Sequence, residues 1–250
     1  MREILTNQRR RTDPLEAVRR LLRGKTDRED VRAIRDSILY DGKLRERSNC
    51  LGVMNRDYLR ARLCERIRLL APYQRKDDFL GVDLADFDKF KLYNEAYGKV
   101  VGDVALAAVA YSISNVLPSS ETGRFGGEEF VIASNDPLLI DPRYFRRSGE
   151  KLVKAVEQTS IVVPDGLLTD SNRNIEYKPG FDCRKVTVSV GGILCDNKQL
   201  KDLAQRFNKD LELMCDEILR RADVALDVAK KGGRNRFVPY SQEIEGIRST

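Results

Sequence analysis

Apolar residues recur along the chain at two spacings, and each change of spacing marks an element. Leu15, Val18, Leu21 and Leu22 form a stripe at helical spacing behind Asp13-Pro14, an acidic cap with proline at the first helical position. Thr26-Asp27-Arg28-Glu29 has the form of a capping box, and Val31, Ile34 and Ile38 continue from it towards Asp41-Gly42. Leu59, Leu63, Ile67 and Leu70 predict a third helix over about 55–70, stopped by Pro72. Phe79 to Ala85 then reads as a buried strand. A short helix, Lys91 to Tyr97, follows it. Gly102-Asp103 is expected to open a long helix over about 103–117, with Val104, Ala108, Val109, Ile113 and Val116 inward. Thr122 to Phe125 and Val131 to Ala133 are two short strands around a hairpin centred on 126–128, where glycines tolerate positive φ. A helix over about 144–158 leads to Ile161–Val163 and to a surface loop or small hairpin over 164–181. Lys185 to Gly191 alternates as a half-buried strand should. An additional helix at about 198–207, a long one at 210–231 and a closing strand from Arg234 to Val238 complete the pattern. The order predicts an α+β domain, a mixed sheet with helices on one face, behind a short N-terminal helical segment.

Composition narrows this picture. A chain of 250 residues suits one substantial domain with an appendage. Mean hydropathy is −0.46, and no run approaches the ~18 apolar residues of a membrane span. The opening Met1-Arg2-Glu3-Ile4 lacks the apolar stretch of a signal peptide. Five scattered cysteines without a C-x-x-C, and no histidine, argue against a zinc site and fit reduced thiols in a cytoplasm. The positive charge is uneven: residues 1–78 hold 21 Lys/Arg against 13 Asp/Glu, and the remainder 24 against 26. The basic residues alternate with acidic and apolar ones and have no aromatic platform beside them. A solvated helix face is therefore expected, and no nucleic-acid partner.

Three stretches carry candidate chemistry. Gly126-Gly127-Glu128-Glu129-Phe130 puts two carboxylates on a tight turn, good ligands for a hard cation such as Mg²⁺. Asp86-Phe87-Asp88-Lys89-Phe90-Lys91 is an acidic pair at a strand end followed by a helix with a lysine. Asn94, Tyr97-Gly98-Lys99 and Gly102-Asp103 come after it. Late in the chain stand Ala222-Asp223 to Lys230 and Gly233-Arg234-Asn235-Arg236. In order and spacing these resemble the GGDEF family of diguanylate cyclases over about 79–238.

The resemblance implies a GGDEF palm-like domain over 48–240, with 1–47 as a basic helical segment for dimerisation or regulation and 241–250 as a polar tail. It implies a transferase of second-messenger signalling that joins two GTP into cyclic di-GMP and pyrophosphate. Asp86, the backbone carbonyl of Phe87, Glu128 and Glu129 would hold Mg²⁺ or Mn²⁺. Glu128, with Glu129, would serve catalysis as proton acceptor, and Lys91 would stabilise phosphate charge. Lys230 and Arg234 match a phosphate-binding pair, with helix capping as the alternative. Asn94 and Asp103 match the residues that read guanine, with N-capping as an alternative for Asp103. Gly126, Gly127 and Lys99 border the nucleotide, and Asp88 supports the site. One domain holds one GTP, so a homodimer is implied.

The chain also departs from the pattern. Ser48-Asn49-Cys50-Leu51-Gly52-Val53-Met54-Asn55-Arg56 keeps only Gly52, Asn55 and Arg56 of the family's lead-in. Lys99 replaces a histidine. Leu117-Pro118-Ser119-Ser120 lacks the R-x-x-D of the product-inhibition site, which implies weak or no feedback there. A GTP-binding regulatory module without turnover, and a cyclic dinucleotide synthase of different base preference, stay open as alternatives; Asp103 speaks against the second.

Overall fold

The computed structural model describes residues 14–23, 29–30, 33–34, 53–71, 79–117, 119–159, 161 and 186–246. Its centre is β1 (Phe79–Phe87), in which all nine residues are buried. β1 pairs antiparallel with β3 (Glu129–Ser134) on one side and with β4 (Val188–Asp196) on the other. β2 (Glu121–Arg124) extends the sheet beyond β3, and β5 (Phe237–Pro239) lies parallel to β4, giving the order β2-β3-β1-β4-β5.

Helices cover both faces. Phe79, Ala85 and Phe87 face one side with Phe130, Ile132, Val188 and Val190, beneath α4 (Lys99–Val116) and α5 (Pro142–Glu157). Leu80, Val82 and Leu84 face the other with Val131, Ala133 and Ile193, beneath α2 (Arg56–Leu69), α6 (Asn197–Arg206) and α7 (Leu211–Lys231). The expectation of helices on one face is thus corrected. The reason is visible in β1, whose residues are apolar at nearly every position rather than at alternate ones, the mark of a strand covered on both sides.

Two boundaries also differ from expectation. α4 begins at Lys99, not at Gly102-Asp103, because Gly98 takes φ +84° and turns the chain out of the short helix α3 (Phe90–Tyr97). Asp103 therefore lies inside the helix and does not cap it. β4 does not stop at Gly191 but runs on to Asp196. A Cβ on Gly191 would stand 2.1 Å from Leu226 N and 2.3 Å from Ala222 O. This glycine marks a close approach of α7 to the sheet, not a turn. The additional helix before the last long one is present as α6, opened by the capping box Asp196/Gln199.

α1 (Pro14–Leu22) buries Ala17 and Val18 in the cluster under α4. Glu29–Asp30 and Ala33–Ile34 are helical, with Ile34 buried and Asp30 paired to Arg20 at 2.7 Å. Asp13, the Thr26 end of the capping box, the lead-in residues 48–52 and the loop expected over 164–181 lie outside the described residues. Among the described residues one helix, Lys99–Val116, is long and apolar enough to cross a membrane. Its Val101, Val104, Ala108, Val109 and Ile113 are buried, the arrangement of a core helix.

Candidate functional site

The site forms where β1 ends. Asp86 stands directly opposite Glu129 of β3 and opposite Ser189 of β4. Phe87 N donates to Glu128 O at 3.1 Å, so the hairpin tip is stitched to the strand that carries Asp86. Acids some forty residues apart in sequence therefore share one end of the sheet. From α7, Lys230 Nζ reaches Asp86 Oδ2 at 2.9 Å.

Electrostatics record the crowding. Burial raises the Asp86 carboxyl above the usual range, and the Lys230 ammonium only partly offsets it. Glu128 is raised by burial and then by the Asp86 charge, and Glu129 in the same order. Neighbouring carboxylates that each disfavour the other's ionisation form a pocket of negative potential that a cation relieves.

The hairpin owes its shape to side chains more than to glycine dihedrals. The glycines with positive φ among the described residues are Gly98 and Gly233, so the expected left-handed turn at Gly126-Gly127 is not formed. Gly126 answers a different need: a Cβ there would lie 2.3 Å from Glu129 Oε2, because the Glu129 carboxylate folds back over it. Arg124 holds the tip from inside, Nε donating to Gly126 O at 3.2 Å and Nη2 to Gly127 O at 2.6 Å. Outside it, Arg56 lies 4.6 Å from the Phe125 ring centroid, a cation–π contact. Met54 bridges to Gly123, its N donating to Thr122 O and its O accepting from Arg124 N, both at 2.8 Å. The part of the lead-in that is described is thus bound to the hairpin, although its motif is only half kept.

The other predicted residues flank this centre. Asn94 sits on α3 with its Oδ1 buried and without a hydrogen-bond partner in the protein. A Cβ on Gly102 would come within 1.8 Å of that oxygen, so Gly102 leaves room for the amide. Asp103 is half-buried one residue further on, among interactions of its own. Lys91 and Lys99 are exposed at the starts of α3 and α4, and Arg234 is exposed in the turn after α7. The structure thus brings together Asp86, Phe87, Glu128, Glu129 and Lys230. It leaves Lys91, Lys99 and Arg234 as outward cations. Sequence reasoning missed the Lys230–Asp86 pair, since it assigned Lys230 to phosphate or to helix capping, and missed Arg56 as a hairpin contact. No local pattern signals either, because both join distant segments.

Among the described residues no three acidic, histidine or cysteine side chains close around a common point to hold a metal by themselves. A magnesium site does not require that. Mg²⁺ is bound by one or two carboxylates with water and substrate phosphates, and the mutually repelling acids at 86, 128 and 129 are hard oxygen donors of that kind.

Residues 51–162 match the family model described as "Diguanylate cyclase, GGDEF domain". The chain is 29% identical over 177 residues to diguanylate cyclase A of Treponema denticola, an alignment covering 70% of this chain and 38% of that protein. It is also 29% identical over 157 residues to diguanylate cyclase DgcZ of Escherichia coli K12, covering 61% and 41%. It therefore spans about two fifths of the length of these relatives. The GGDEF domain of DgcB from Caulobacter crescentus, solved with c-di-GMP, superposes with a TM-score of 0.57 at 21% identity, covering 78% of this chain and 98% of that one. At that identity the likeness is one of fold.

Proposed function

The chain belongs to the GGDEF family, and from that premise we propose that it is a diguanylate cyclase, condensing two GTP into cyclic di-GMP with release of pyrophosphate. The observation that carries this reading is the facing of Asp86 by the acidic hairpin, with Lys230 closing the same corner. Each 3′-hydroxyl attacks the α-phosphate of the other nucleotide, and the two molecules are presented by two copies of the domain. In such a transfer the protein positions groups and stabilises charge.

Asp86, Glu128, the carbonyl of Phe87 and Glu129 would hold Mg²⁺ or Mn²⁺, which when bound neutralises phosphate charge. Glu128 accepts the proton of the attacking hydroxyl. Lys230 is held at the phosphate end by Asp86, and Arg234 and Lys91 add positive charge from the rim. Asn94, with its unpartnered oxygen, and Asp103 take the guanine edge. A carboxylate accepts from the N1–H and 2-amino group of guanine and repels adenine N1; a good bidentate pair discriminates by about 1–3 kcal/mol. The N-terminal helices act in dimerisation or regulation.

The purified chain with Mg²⁺ and GTP is expected to yield cyclic di-GMP by mass spectrometry, with neither a mixed nor an adenine product when ATP is added. GTP binding without any condensation would favour the regulatory-module reading instead. Lys91→Ala should lower turnover by roughly 10²–10³. Retention of more than about a tenth of the rate would remove Lys91 from the mechanism.

A further inference from the structure

Next to Asp86 on the same strand end lies a second carboxylate with different partners. Asp88 is buried. Its Oδ1 accepts from Ser189 Oγ at 2.6 Å, and its Oδ2 accepts from Thr187 Oγ1 at 2.8 Å and from Asn235 N at 3.0 Å. Its own N donates to Thr187 O at 2.9 Å. Thr187 immediately precedes β4 and Ser189 lies at its start; Asn235 belongs to the turn that follows α7.

That turn is strained. Arg234 and Asn235 are consecutive non-glycine residues with φ +64° and +45°, a conformation disfavoured by contact of Cβ with the backbone. Such strain persists only where the surroundings impose it. Arg234 N donates to Ala229 O at 3.0 Å, and Asn235 Nδ2 to Glu157 Oε1 at 2.9 Å. The Asp88 carboxylate takes the backbone N–H between them. It is the buried anchor of a turn that begins just after Lys230 and carries Arg234 on its outer side.

Resting on the reading that Lys230 and Arg234 meet the phosphates of GTP, we propose that Asp88 is a positioning residue for the triphosphate. It fixes the left-handed turn from beneath and so sets where the Arg234 guanidinium stands. It touches neither nucleotide nor metal. A buried carboxylate with three well-aligned donors holds one geometry, which a phosphate-binding arginine on a strained turn requires.

The test uses the full chain and two ligands that bind without condensing: 3′-deoxy-GTP, which lacks the attacking hydroxyl, and GMP, which lacks the leaving group. By titration calorimetry, Asp88→Ala is expected to weaken 3′-deoxy-GTP about tenfold and GMP less than about twofold. Asp88→Asn keeps an acceptor for Asn235 N, and the Ser189 hydroxyl can turn to accept from the amide; it should stay within about threefold of the parent. Arg234→Ala should weaken 3′-deoxy-GTP similarly, and adding Asp88→Ala to it should cost less than about twofold more, since both act through one group. Equal losses for both ligands, or independent losses from the two substitutions, overturn the proposal and leave the GTP reading intact. If the parent chain binds neither ligand, the GTP reading fails and the positioning role with it. Should Asp88→Ala not fold, Thr187→Val removes one of the donors that aim Oδ2. It should then give a loss of about two- to threefold confined to 3′-deoxy-GTP; an equal loss for GMP overturns the role.

Discussion

Asp83 is a residue that the family pattern does not use. It lies in the middle of β1 with Oδ1 unpartnered in the protein, and Gly192 and Phe237 crowd its surroundings. Burial pushes its carboxyl from an ordinary 3.8 up to about 8. Below about pH 4 both the folded and the unfolded chain carry the proton, and Asp83 adds no pH-dependent cost. As pH rises to about 8 only the unfolded chain ionises, so folding loses on the order of several kcal/mol across that window and then levels off. Asp83→Asn cannot ionise. Its Tm should fall less than the parent's between pH 4 and 8, as scanning calorimetry in matched buffers would show; parallel curves would refute the assignment. On α4, Gly102→Ala drives a methyl into Asn94 Oδ1. Because the clash falls on a side chain proposed to read guanine, KM for GTP should rise by about tenfold while kcat and Tm change little.

Elements meet at places where the sequence signal is small. Gly191 admits the backbone of α7 against β4, so that α7 delivers Lys230 to Asp86. Gly191→Ala has no flexible side chain to displace, only helix backbone. It should destabilise by about 3 kcal/mol or more, measured by urea unfolding; a cost under about 1 kcal/mol would show that α7 can shift freely. α2 is clipped to two elements: Arg60 pairs with Glu212 and Asp216 of α7 at 2.7 and 2.5 Å, and Arg62 and Arg66 pair with Glu121 of β2 at 2.5 and 2.7 Å. Its N-cap is Asn55, which accepts from Tyr58 N at 2.9 Å. The start of this helix near residue 55 was legible in the sequence, although its cap was not read there. The clips were not, because charges on an amphipathic helix look the same whether solvated or paired. The same blindness hid the left-handed turn after α7: nothing in Gly233-Arg234-Asn235 declares which residues bear the strain that Asp88 offsets.

At the scale of the whole molecule the consequence is stoichiometric. On the proposed reading, one acidic corner, one Lys230 and the pair Asn94 and Asp103 serve one nucleotide, while the reaction consumes two. Specific activity should therefore rise with protein concentration and plateau once dimers predominate, as initial rates over a dilution series would reveal; a concentration-independent rate would require a dimer that does not dissociate in that range. α1 and Ile34 already bury apolar side chains against the α4 face of the same chain, so that part of the N-terminal segment is committed to its own domain.

The sequence by itself determined the order of the five strands and of the long helices that cover them, the acids of the hairpin and the extra helix before α7, but not the short helix Gln242–Glu245 in the expected tail. These depend on local matters, periodicity, capping and residue spacing, which a linear string records. Only the tertiary structure decided that β4 runs through its glycines and that Lys230 pairs with Asp86. Each of these turns on what lies across space from a residue. A glycine that ends a strand and one that lets a helix approach are the same letter, and only the opposing backbone distinguishes them.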